Sequence, residues 1–118
     1  MRELKTRSAK AKGHRLEYFI RDKLIEKFNL SPDDVRANIG SETGVDINLS
    51  KKAQALIPLQ IEAKSRSSMA IYTYYEQAKS HKAGLEPVVI VKMNRRKPLI
   101  CIDLDYFLEL LRNNNKNE

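Results

Sequence analysis

The sequence predicts a single α/β domain, with a central mixed β-sheet flanked by helices. Segments with apolar residues every three or four positions alternate with strand-like segments, in the order helix, strands, helix, strand, strand, helix. The 118 residues can bury one core but leave no room for a separate recognition module. A hydrophobic content of 42% is enough to fill that core.

Residues 1–10 (MRELKTRSAK) are basic and weakly periodic, and predict a flexible arm or a frayed first turn. The folded domain is expected over residues 11–112. Its first helix runs from Ala11 to Phe28, with Leu16, Phe19, Ile20, Leu24 and Phe28 on one stripe. Glu17 falls inside that stripe, where an unpartnered carboxylate would be costly. A carboxylate reaching water from the edge of the stripe would look the same in sequence.

Pro32, after Ser31 and before two aspartates, marks a turn. Val35 to Ile39 predict a short strand, and Gly40 to Gly44 a loop. In VDINL, Val45, Ile47 and Leu49 alternate with Asp46 and Asn48. In IPLQIEAK, Ile57, Leu59, Ile61 and Ala63 alternate with Gln60, Glu62 and Lys64. The intervening SKKAQA reads as a hairpin connection that would pair the two strands. A second helix is expected over Tyr74 to Ala83, with Thr73 and Glu76 as a capping box and Gly84 at its end. PVVIVKM is continuous enough for a strand buried on both faces. NRRK then turns the chain into PLICID. A last helix, Asp105 to Arg112, should turn Phe107, Leu108, Leu110 and Leu111 towards the body, and 113–118 form a disordered tail.

Cys101 is the lone cysteine, so there is no disulfide framework and a reducing compartment is expected. His14 and His81 are far apart in the chain and argue against structural zinc. No apolar run is long enough to span a bilayer, and the basic N-terminus lacks a secretory apolar core. A cytoplasmic protein with no membrane partner is the expectation. The net charge of +7 favours a polyanion such as nucleic acid, although basic proteins indifferent to nucleic acid are common.

Glu62 and Lys64 share one strand face, and a hairpin would bring Asp46 to it. Carboxylates bind Mg²⁺ or Mn²⁺ because these hard cations prefer oxygen. An ammonium beside them can orient a water or stabilise developing phosphoryl charge. An exposed polar strand with an ordinary ion pair would carry the same residues. Asp46 on a preceding strand and Glu17 on a preceding helix sharpen the catalytic reading.

With these residues in place, the chain resembles the PD-(D/E)XK nuclease superfamily, and within it the archaeal-type Holliday junction resolvases. The resemblance spans about residues 12–102. It begins at Lys12-Gly13 with the helix acid Glu17, continues through Arg36 and the Gly40-Ser41 loop, and centres on Asp46, Glu62 and Lys64. Position 18 is Tyr where those resolvases carry arginine. Gln77 is similar to the glutamine of exonuclease-type relatives, whose downstream tyrosine is replaced here by His81.

The resemblance implies a restriction-endonuclease-like fold and a Mg²⁺-dependent homodimer, Mn²⁺ substituting, that nicks a four-way DNA junction symmetrically. It implies Glu17, Asp46 and Glu62 as metal ligands, with Ser41 and Lys64 completing the catalytic set. Lys5, Arg7, Lys10, Lys12, Arg15, Arg36, Arg95, Arg96 and Lys97 are the expected DNA contacts, each equally compatible with a solvated charged surface. Met69, Ile71, Tyr72 and Tyr75 are candidates for the dimer interface. Two other functions stay open: a small restriction-like or repair nuclease of another DNA structure, and a non-catalytic basic DNA-binding protein.

Overall fold

The computed structural model describes residues 2–38, 46–66, 69–81 and 84–116. The first helix, α1, spans Arg2–Phe28 and so begins at Arg2 rather than Ala11. Glu, Leu, Lys, Arg and Ala are good helix formers, and no proline or glycine interrupts them before Gly13, so the basic segment continues the helix. Leu16 and Ile20 are buried, with Leu24 and Ile25 packed beside them, whereas Phe19 and Phe28 are exposed. The inward stripe thus ends on Ile25 instead of Phe28, because the chain folds back beneath it. Asn29 adopts a left-handed conformation (φ 53°), and the Leu30 N–H donates to the Ile25 carbonyl at 3.0 Å. This is a Schellman end, with Leu30 buried in the same cluster as Ile25.

The expected turn follows, and Asp34 holds it. Its carboxylate accepts from the Ser31 N–H at 3.1 Å and from the Ser50 hydroxyl at 2.8 Å, and these bonds hold its pKa below the usual value. Strand β1 (Val35–Ala37) then pairs antiparallel with β2 (Ile47–Leu49). The Asn38 N–H donates to the Asp46 carbonyl at 2.7 Å, extending the ladder by one step. The expected Gly40–Gly44 loop, with Ser41, lies outside the described residues.

The expected hairpin connection to the lysine strand is instead a short helix, α2 (Lys51–Leu56). Ser50 is its N-cap, accepting from the Ala53 N–H at 3.1 Å, and Gln54 Nε2 donates to the Leu49 carbonyl at 2.9 Å. A capping serine ahead of lysine, alanine, glutamine and leucine favours a helical turn over a tight hairpin. The two strands therefore do not pair. They belong to separate sheets, one of β1 and β2 and one of three strands.

In the three-stranded sheet, β3 (Leu59–Ser65) pairs parallel with β4 (Glu86–Lys92), and β4 pairs antiparallel with β5 (Leu99–Ile102). This is the mixed sheet the sequence predicts. Helix α3 (Ile71–Ser80) joins β3 to β4. It starts before Tyr74, so Thr73 lies inside the helix and the expected capping box does not form; the N-cap is Ala70, with no side-chain bond.

Helix α1 covers one face of the sheet, where Leu16 and Ile20 cluster with Ile61, Ala63, Val88 and Ile47. Helix α3 covers the other, where Ala78 meets Val89 and Val91. β4 is thus buried on both faces, as its apolar run implies. Of the expected interface residues, Met69, Ile71 and Tyr75 are partly buried against this second face, while Tyr72 is 87% exposed.

The last helix, α4, runs Leu104–Lys116, into the segment expected to be a disordered tail. Asp103 caps it, its carboxylate accepting from the Tyr106 N–H at 2.9 Å. Contrary to expectation, Phe107, Leu108, Leu110 and Leu111 are exposed, as is Leu104. Both faces of the small sheet are already covered by α1 and α3, so little core remains for α4. Among the described residues, no helix is long and apolar enough to cross a membrane.

Gly13 lies inside α1, and a Cβ built there meets nothing within 4 Å. Gly13→Ala should raise stability by about 0.5–1 kcal/mol, read as a higher urea midpoint at unchanged slope. A lower midpoint would contradict the open surroundings of this helix position.

Candidate active site

Strand β3 has a hydrogen-bonding neighbour on one side only. On its open side, the Ala63 N–H donates to Asp46 Oδ2 at 2.8 Å. The aspartate stands just ahead of β2 and takes the place of a missing neighbour strand. It thereby brings its carboxylate to the site by a route the hairpin expectation did not contain. Burial is the main cause that raises the Asp46 pKa, with Glu62 adding to it, while the Ala63 N–H, Lys64 and His81 act the other way.

Strand alternation places Gln60, Glu62 and Lys64 towards α3, opposite Ile61 and Ala63. Gln60 Nε2 donates to the Ala78 carbonyl at 3.0 Å, anchoring α3 over this face. Glu62 is 7% exposed. Lys64 Nζ lies 3.1 Å from its Oε2, and His81 Nε2 lies 3.6 Å from its Oε1. The Lys64 ammonium also sits 5.2 Å from the centroid of the Tyr74 ring, a cation–π contact from α3. One buried carboxylate therefore faces the Lys64 ammonium at one oxygen and the His81 imidazole at the other, and Tyr74 fixes where the lysine stands.

Glu17 arrives from α1, and its place in the apolar stripe is confirmed at 9% exposure. Its Oε1 is buried and has no hydrogen-bond partner. Burial pushes its pKa up to about 7, and the charges of Asp46 and Glu62 push in the same direction. Three carboxylates from α1, the start of β2 and β3 are thus close enough to oppose one another's ionisation. Such crowding is costly without a counter-charge, and perturbed carboxylates gathered in this way mark functional sites.

Among the described residues, no group of three or more His, Cys, Asp or Glu side chains is placed so that it could hold a metal ion as it stands. Glu62 Oε2 is engaged by Lys64, and Asp46 Oδ2 by the Ala63 N–H. The chemistry of the donors, rather than their present spacing, is what suits a divalent cation. They are all oxygen, they carry excess negative charge, and they include one buried carboxylate oxygen that nothing among the described residues satisfies.

The structure thus brings together Glu17, Asp46, Glu62 and Lys64, while Ser41 lies outside the described residues. It adds His81, which sequence reading treated as an isolated histidine. The available signal was its place four residues after Gln77, at the end of the helix that follows the lysine strand. Of the expected DNA contacts, Arg15, Arg95, Arg96 and Lys97 are exposed, and Arg95 turns through φ 61° after β4. Lys12 is half-buried, and Lys5, Arg7 and Lys10 lie on the first turns of α1. Arg36 makes a loose exposed pair with Asp33 at 3.8 Å. No protein-family model, curated protein or solved structure matches the chain.

Because the Glu17 pKa is raised in the fold, its protonated form is favoured there. Its stabilising effect is full below about pH 4.5 and is lost as pH rises towards 7, by about 3 kcal/mol at most. In chelator, Glu17→Gln should therefore unfold at higher urea than wild type at pH 8 and at a similar concentration at pH 4. Parallel pH dependence of the two proteins would show that Glu17 ionises in the fold as it does in water.

Proposed function

We propose that this chain is a metal-dependent DNA endonuclease of restriction-endonuclease-like fold, acting on branched DNA with a four-way junction as its preferred substrate. The observation that carries this reading is the buried, partnerless Glu17 carboxylate set against Asp46 and Glu62, with Lys64 held beside them. A DNA-binding protein without catalysis gains nothing from carboxylates facing phosphate. A nuclease needs them.

Glu17, Asp46 and Glu62 would hold Mg²⁺, or Mn²⁺ in its place. A bound divalent ion supplies charge neutralisation at the phosphoryl oxygens and a more acidic water. The chain's own groups do the rest. The Lys64 ammonium, restrained by Glu62 and Tyr74, is positioned to donate to an attacking water or to the developing phosphorane charge. The Ala63 N–H keeps the Asp46 carboxylate from rotating away. His81 restrains the far oxygen of Glu62 when protonated.

Basic residues on α1 and in the turn after β4 supply affinity for phosphate irrespective of sequence, which suits recognition by shape. A junction offers two equivalent strands, and each chain carries one site, so paired cutting calls for a two-fold dimer. The exposed apolar side chains of α4 and β5, with Tyr72, provide the surface: Leu99, Leu104, Phe107, Leu108 and Leu111. A stable interface there would bury on the order of 1,600 Å² in total.

Labelled four-way junction, duplex, flap and single strand, each incubated with Mg²⁺ and with chelator, test the activity. The junction should be cut fastest, and only with metal. Asp46→Asn keeps an acceptor for the Ala63 N–H while removing charge, and with Glu62→Gln and Lys64→Gln it should lower cleavage at least about 100-fold while DNA binding survives. Near-wild-type cutting by either acid variant would sink the site.

Sedimentation at micromolar concentration, with and without junction, tests the assembly. Wild type should dimerise, and Leu108→Lys should shift it to monomer and uncouple the two nicks. A wild-type monomer in both conditions would remove the junction-resolving reading and leave a nuclease of other DNA structures.

A further inference from the structure

A cavity of about 290 Å³ lies on the α1 side of the sheet, on the other face of β3 from Lys64. Lys12, Arg15, Leu16 and Phe19 form its helix wall, Ser65 and Lys92 its sheet edge, and Asn94 and Pro98 its rim. Ser65 and Lys92 are register partners at the ends of the parallel strands β3 and β4. Beyond them the chain parts, β3 leading towards α3 and β4 into the turn before β5. Parallel strands whose onward connections diverge leave a crevice at their carboxyl ends, a recurrent place for ligands. Because successive strand side chains alternate, β3 delivers Lys64 to the acid cluster and Ser65 to this cavity.

The lining carries three cationic side chains and no carboxylate. Among the described residues, none of Lys12, Arg15 and Lys92 has an acidic partner within ion-pair distance. Lys92 Nζ instead donates to the Met93 carbonyl at 3.2 Å, which parks one proton and leaves two. The Ser65 hydroxyl and Asn94 amide add neutral donors, and Phe19 and Pro98 an apolar wall. Concentrated positive charge with short donors suits a phosphate, and the apolar wall suits the sugar beside it.

We propose that this cavity seats a backbone phosphodiester of the DNA, one that is bound rather than cut, with Lys12, Arg15 and Lys92 as its cationic contacts. The assignment rests on the nuclease reading above. It unites two basic segments far apart in sequence, the α1 residues and the end of β4, in one subsite. It also adds Ser65, Lys92 and Asn94 to the binding surface. A phosphate held here would fix how the backbone runs across β3 towards the acid cluster.

The test is DNA affinity in chelator, by fluorescence anisotropy of labelled duplex and junction between 50 and 200 mM KCl. Lys12→Gln and Lys92→Gln should each weaken binding several-fold and lower the slope of log affinity against log salt, the two together by about 0.9, the one phosphate contact they share. Lys92→Arg should keep the slope, and Lys79→Gln, an exposed charge on α3 outside the cavity, should leave it unchanged. Unchanged slopes for Lys12→Gln and Lys92→Gln, in a wild type that binds and cuts DNA, would overturn this subsite and leave the nuclease standing. A wild type that neither binds nor cuts would remove both. Unchanged slopes with displacement of the DNA by millimolar inorganic phosphate would make the cavity a small-anion site instead, and would also overturn the assignment.

Discussion

The hydrogen bond from the Ala63 N–H to Asp46 is the hinge of the molecule. It satisfies a backbone donor on the open edge of β3, and it ties a two-stranded sheet to a three-stranded one that it does not otherwise join by ladder bonds. It also brings a second carboxylate beside Glu62, which makes the third, on α1, expensive to ionise. Structural and chemical demands therefore meet in one side chain. A charged acceptor is stronger than a neutral one, so the residue best suited to close the edge is also one suited to hold a cation.

The acid cluster costs stability. A protein selected only to fold would not bury a carboxylate oxygen without a donor, nor place three acids where each raises the cost of another. Glu62 is balanced by Lys64, with His81 at its other oxygen, and Asp46 by a backbone donor, but among the described residues nothing meets the buried Glu17 Oε1. That asymmetry distinguishes the cluster from an ordinary ion-pair network, whose members are all satisfied.

What could be read from sequence followed from short-range periodicity. Alternation in β3 put Glu62 and Lys64 on one face, the helical wheel put Glu17 in the buried stripe, and the continuous apolar run of β4 implied cover on both faces; all three hold. Connections were harder to read. SKKAQA is as polar as a hairpin loop, and the Ser50 side chain that caps it as a helix is itself held by Asp34, sixteen residues away. Thr73 and Glu76 have capping-box spacing, but packing of Met69 and Ile71 on β4 starts α3 earlier. His81 stands at a position the resemblance pointed to, but its approach to Glu62 depends on where α3 ends, a tertiary fact. The amphipathic pattern of α4 was legible, but not the target of its apolar side, since periodicity does not say whether the surface it meets belongs to the same chain.

The turn between β4 and β5 bears on solubility. Sheet edges with exposed aliphatic residues invite indefinite edge-to-edge pairing, and β5 presents Leu99 and Ile100 in this way. Arg95, Arg96 and Lys97 stand immediately before them, acting as charged gatekeepers, and the strand is only four residues long. Two free copies meeting along this edge would bring like charges together, whereas a polyanion lying across the turn would neutralise them. The same three side chains would thus discourage open-ended edge-to-edge pairing, as distinct from a closed two-fold contact centred on α4, and relax that restraint once nucleic acid is bound.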